Sequence, residues 1–212
     1  QSFLMAEAGY KVRMARGDGR LFLLLATDGQ VYARPYFNID GQVFYILDDV
    51  PRAASYNICN FTIPGERPLS LAMPAPPLFA QKPAAPAVRN FDGVVSTTVT
   101  VNRNLMDFYT NYPPCHWSIY AATALTAPVR GQLYPPLRAA VAGKGEREAA
   151  ELLLHYLHRA FPYKTDEAQF GVERTLFAEE MYYYPYSDCE DRSILFARLV
   201  KDLLGLDVVL LY

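Results

Sequence analysis

The stretch 64–86 constrains this chain more than any other. It holds seven of the sixteen prolines, interspersed with alanine. Each proline lacks an N–H and has a fixed φ, so no helix interior or central strand can run through the block. It reads as an extended crossing segment, anchored by Leu69, Leu71, Leu78 and Phe79, between a front part patterned for strands and a back part patterned for helices.

In the front part, 21–27 is an apolar strand-like run followed by Asp28-Gly29, a short hairpin signal. Residues 30–39 give a second run whose alternation is disturbed at Pro35, the mark of an edge or a bulge. Asp40-Gly41 is a second turn, and 43–47 a third strand. Turns twelve residues apart suggest an antiparallel meander, with further strands over 56–63 and 94–101. The expectation is an all-β, antiparallel β-sandwich-like domain over 1–101.

The back part starts near Asn102. A helix over 105–109 stops at Pro113-Pro114, and Pro135-Pro136 opens another that ends at Gly143. Over 146–161 the residues Ala150, Leu153, Leu154, Leu157 and Phe161 share one helical face. The stretch 163–186 is irregular, aromatic and acidic. A second strong helix spans 189–204, Gly205 suits its C-terminal stop, and 206–212 reads as a buried strand. The fold class is therefore α+β.

Composition excludes several functions. A net charge of −2 argues against nucleic acid and anionic membrane surfaces. No apolar run approaches the roughly 20 residues of a membrane span. Cys59, Cys115 and Cys189 are odd in number and widely spaced, so neither a disulfide framework nor a CxxC metal site is expected. His155 and His158 have an i, i+3 spacing but no third ligand at a recognisable interval, so no metal site and no cofactor is assigned. His116 sits beside Cys115, where adjacent side chains diverge, although it could still approach Cys189. There is no phosphate-binding glycine loop.

Cys189 is the candidate nucleophile. Ser187 and Glu190 have capping-box spacing, which puts Cys189 at the second helical position. With Asp188 as cap it would still lie in the first turn. There the unpaired N–H groups and the helix dipole favour a thiolate. On the helical wheel Cys189 aligns with Phe196, Val200, Leu203 and Leu204, so the thiol is expected along the packed face. Asp188, Glu190 and Asp191 oppose thiolate formation, and an inert buried cysteine would satisfy the same pattern. Just upstream, Tyr184 and Tyr186 belong to an aromatic run that either lines a substrate groove or packs as a loop.

The stretch 186–211, with Asp188-Cys189-Glu190-Asp191-Arg192-Ser193, Leu199, Leu204-Gly205-Leu206 and the apolar run behind, resembles the nucleophile helix of the transglutaminase-like, papain-type cysteine enzymes. From Asn102 onward the chain is similar to bacterial members of this superfamily of the kind found in Bacteroidetes. The resemblance implies that 102–212 is the front half of a transglutaminase-like domain, with Cys189 attacking a peptide or amide carbonyl. The family's His and Asp sit on the next two strands, so they are expected beyond this chain. The fragment is expected to be inactive alone, and either the missing C-terminal segment is supplied as a separate piece or the fragment self-associates. The implied partner is a peptide or protein substrate. The rival is an inactive member of the same fold that acts as a binding or structural protein at the cell surface. A start at Gln1 rather than Met, together with the resemblance, points to an extracytoplasmic (periplasmic or cell-surface) location.

Overall fold

A computed structural model describes residues 2–47 and 55–211. The chain divides into two compact units. One comprises Gln1–Leu71 with Pro113–His116, the other Ala72–Tyr112 with Trp117–Tyr212.

The first unit opens with a short helix, α1 (Ser2–Glu7), followed by strands β1 (Val12–Gly17), β2 (Arg20–Ala26), β3 (Tyr36–Ile39), β4 (Gln42–Tyr45) and β5 (Asn57–Cys59). They form one antiparallel sheet in the order β3-β4-β2-β1-β5. Two hairpins turn at Asp18-Gly19 and Asp40-Gly41, where all four residues have positive φ. This is the primed-turn geometry that matches strand twist. Asp28-Gly29 is the exception to the expected pattern. Asp28 Oδ1 accepts from the Leu71 N–H at 2.9 Å and Thr27 bridges Leu69, so β2 runs into the proline-rich segment instead of a hairpin. Residues 30–35 are consequently irregular, and β3 begins only after Pro35.

Ala15, Phe22, Leu24, Ala26, Phe44 and Ile46 make the core of this unit. Beside it Arg13 forms a two-pronged ion pair with Glu66, at 2.9 and 2.7 Å, with both side chains only 5% exposed. The Arg13 guanidinium also lies over the rings of Phe44 and Phe61. Pro113–His116 joins through a Val31–Cys115 bridge and a bond from Tyr32 N–H to the Pro114 carbonyl. The expected sandwich is not formed: among the described residues this unit has a single sheet.

The second unit starts with the hairpin of β6 (Ala87–Phe91) and β7 (Val95–Val99), turned at Asp92-Gly93. Then come α2 (Arg103–Thr110), α3 (Trp117–Ala122), α4 (Ala127–Val141), α5 (Glu146–Ala160), α6 (Asp166–Phe170), a 3-10 turn over Glu180–Tyr182, and α7 (Cys189–Leu204). The division at Leu71/Ala72 differs from the expected boundary at 101. Val95, Thr97 and Val99 alternate inward, β7 packs on α4 and β6 on α5, and Thr97 Oγ1 lies 2.7 Å from the Tyr156 hydroxyl. The hairpin has its core with the helices, not with the first sheet.

The proline-rich block is extended, as expected, with bridges at both ends: Arg67 to Tyr10 and Pro83 to Asn102. Of its expected anchors Leu71 is buried, but Leu78 is 98% exposed.

Two helices depart from the sequence reading. α4 begins at Ala127, so Pro135 and Pro136 lie inside it rather than at its start. Burial of Val129, Leu133 and Leu137 at i, i+4, i+8 offsets the two missing N–H donors. In α5 the packed stripe is Ala149, Leu153, Tyr156 and Leu157, and Leu154 is 38% exposed. The large Tyr156 ring is fully buried against Phe161 and so draws the stripe one position round. At the end of α7 Gly205 takes the left-handed conformation with its N–H on the Lys201 carbonyl, as expected. The stretch 206–211 is not a buried strand. Half-buried Leu206, Val208 and Leu210 alternate with exposed Asp207, Val209 and Leu211, with no ladder partner among the described residues. Tyr212 lies outside the described residues.

Candidate functional site around Cys189

The helix bearing Cys189 is capped by Asp188, not Ser187. The Asp188 carboxylate accepts from the Asp191 N–H, and the Asp191 carboxylate accepts from the Asp188 N–H at 3.3 Å. Ser187 is taken up elsewhere: its N–H donates to the Pro162 carbonyl and its own carbonyl accepts from Lys164, which ties it to 162–164 as a short parallel bridge. Cys189 is thus the first helical residue, within the turn whose N–H groups lack intrahelical partners.

The thiol does not follow the packed face. α7 buries Asp191, Ile194, Leu195, Arg198 and Leu199, whereas Cys189 is exposed and Phe196 and Leu203 are half-buried. Val200 is buried as expected. The expected stripe is therefore the rim of the true one. Asp191 causes the offset, because it is drawn inside to accept from the buried Leu176 N–H at 2.8 Å.

That rim borders a cleft of about 390 Å³. Its lining includes Cys189, Ser193, Phe196, Trp117, Leu154 and His158, closed on one side by 208–211. The Tyr163 hydroxyl lies 4.0 Å from Cys189 Sγ, and this contact is the first cause that raises the phenol's pKa. Arg192 sets its guanidinium 5.3 Å above the Tyr163 ring and donates to the Phe161 carbonyl at 2.7 Å.

The surroundings are strongly acidic. Carboxylate oxygens of Asp166, Glu173, Asp188 and Glu190 all lie within 4.8 Å of one another. Such a set could hold a hard divalent cation or share protons among its members. Burial is the first cause that pushes Asp166 up to about 6 and Glu190 up to about 8, and the hydrogen bond with Glu173 adds to the latter. Burial likewise pushes Asp191 up to about 8, against the two N–H groups it accepts. Further in, burial pushes Glu180 up to about 7 despite its ion pair with Arg174.

The tyrosines expected to line a groove are not part of this cleft. Tyr184 is half-buried, its ring 4.8 Å from the Arg174 guanidinium and 5.0 Å from Phe170, with its hydroxyl 3.3 Å from Thr110 Oγ1. That is loop packing. Tyr186 is 39% exposed beneath the Lys164 ammonium, 5.2 Å away. His116 belongs to the other compact unit, and His155 is exposed beside the Phe91 ring. The histidine that shares the cleft with Cys189 is His158, which the sequence singled out only for its i, i+3 spacing from His155. Its signal was present: it follows Leu154 by one turn, and both line the cleft. Trp117 and Tyr163 carried no comparable signal, because their approach to Cys189 depends on the packing of distant segments. No protein-family model, curated protein or solved structure compared with the chain matches it.

Proposed function

We propose that the protein carries out thiol-dependent acyl transfer at Cys189 on peptide or amide substrates, in the manner of the transglutaminase-like enzymes that its 186–211 stretch resembles. The observation that carries this reading is an exposed thiol at the first position of α7, opening on a cleft that also holds an imidazole, that of His158. The helix N-terminus favours the thiolate. The thiolate adds to the substrate carbonyl, the C–N bond breaks, and the amine leaves with a proton, giving a thioester. Water then releases a carboxylic acid, or a second amine a new amide, and the thiol is restored. His158 is the cleft's proton carrier in this scheme; general acid–base assistance is typically worth about 10²–10⁴ in rate.

A binding role without chemistry is the second reading. It is favoured by the Asp188 carboxylate, one residue from the thiol, whose negative charge opposes a thiolate.

Alkylation separates the two. Cys115 is protected by burial, so the informative comparison is between Cys189 and Cys59, which is also exposed. Under the enzymatic reading Cys189 reacts with iodoacetamide faster than Cys59 near neutral pH, in the folded protein only. Hydrolysis of a peptide amide, or incorporation of a labelled amine, is then lost in Cys189→Ala and reduced in His158→Ala. A Cys189 slower than Cys59, with no turnover, favours the binding reading.

A further inference from the structure

We propose that the cleft at the β2–β3 connection of the first unit is a saccharide-binding site, taking a neutral pyranose unit of a glycan. It is independent of Cys189 and its chemistry. The cleft has a volume of about 580 Å³, within the range of small-molecule sites. Two exposed tyrosines line it: Tyr36 is 66% exposed and Tyr32 39%. A third, Tyr45, is 7% exposed, lies opposite Tyr36 in the β3–β4 register, and has its ring centre 6.2 Å from that of Tyr36. Around them the lining supplies planar polar groups: the carboxylate of Asp28, the amide of Gln30 and the guanidinium of Arg34.

The chemistry of the lining selects the ligand. A pyranose has an apolar C–H face, which stacks on an aromatic ring, and an equatorial rim of hydroxyls, which pairs with carboxylate, amide and guanidinium groups. The exposed rings here have polar neighbours of that kind as well as aliphatic Val31, Ala33 and Val43, a mixed lining that suits a pyranose better than a purely apolar peptide side chain. The local backbone adds a separate observation. Ala33, between Tyr32 and Arg34, has a φ of +52°, which is costly for a residue with a Cβ. Ala33 lies in the irregular loop 30–35, where the sequence pattern runs as a strand, and that loop carries three of the lining side chains named above, Gln30, Tyr32 and Arg34.

The test is isothermal titration of the whole chain with four soluble probes: cellohexaose, mannohexaose, xylohexaose and chitohexaose. At least one is expected to bind. Tyr36→Ala and Tyr32→Ala should each weaken it about tenfold or more, the scale of one lost ring contact, while Tyr36→Phe, which keeps the ring, stays within about threefold. Far-UV circular dichroism checks that each variant is folded, and the two alanine variants serve as independent readings should one be damaged. Absence of binding by all four probes overturns the proposal, as does binding indifferent to both alanine variants. Tyr36-dependent binding of proline- or aromatic-rich decapeptides, with all four saccharides inert, would reassign the cleft to peptides and overturn it equally.

Discussion

At the scale of single residues, Asp188 holds two opposed influences on Cys189. Its carboxylate closes the reciprocal cap that starts α7, and the same charge sits one residue from the thiol. Asp188→Ala should therefore cost stability and raise reactivity together. The lost cap is worth about 0.5–2 kcal/mol, read as a lower denaturation midpoint. The lost negative charge makes the thiolate easier to form, read as faster alkylation of Cys189 at fixed pH in the folded state. A variant that is destabilised but no more reactive would show that the carboxylate does not bear on the thiol.

At the scale of the element, α7 is held by a face that differs from its most apolar-looking one. Leu195 is fully buried and Phe196 only half-buried. Leu195→Ala should cost about 2–5 kcal/mol, whereas Phe196→Ala should fall below the roughly 3–5 kcal/mol of a buried phenylalanine, because part of its ring faces the cleft. Urea denaturation of the two variants side by side decides it, and a larger loss at Phe196 would put the packed face back where the sequence pattern suggested. In α4 the proline pair shows the same lesson. Local chemistry marks Pro135-Pro136 as a helix start, but the buried Val129, Leu133 and Leu137 extend the helix across it.

At the scale of the whole molecule, four buried or half-buried carboxyl groups set the pH dependence of stability. Asp191 and Glu190 titrate near 8, Glu180 near 7 and Asp166 near 6 in the folded protein, against roughly 4 for unfolded carboxylates. Between about pH 4 and 8 the folded state holds more protons than the unfolded one, so these groups make stability fall as pH rises. The midpoint of urea unfolding should accordingly move down from pH 5 to pH 8. Asp191→Asn, which removes one titrating group at the cost of an N–H acceptor, should flatten that slope even though it lowers stability throughout. A midpoint that climbs over this range would contradict the raised proton affinity of these four carboxyls.

By itself the sequence determined the features whose causes lie within a few residues. Glu146–Ala160 and Cys189–Leu204 were legible from apolar spacing, the Gly205 stop from its freedom at positive φ, and the Asp40-Gly41 hairpin from its two turn residues. The placement of Cys189 in the first turn of a helix was legible for the same reason. Tertiary structure decided which of equally good local signals took effect. Asp18-Gly19 and Asp28-Gly29 are the same dipeptide, but only the first turns a hairpin, because Leu71 arrives to take the Asp28 carboxylate. Ser187 and Asp188 both suit a cap, and the pairing of Ser187 with 162–164 leaves the role to Asp188. The orientation of the thiol, its neighbours Tyr163 and His158, and the proton affinity of the carboxylates around it depend on segments tens of residues away. Burial and proximity of that kind arise only when those segments pack together.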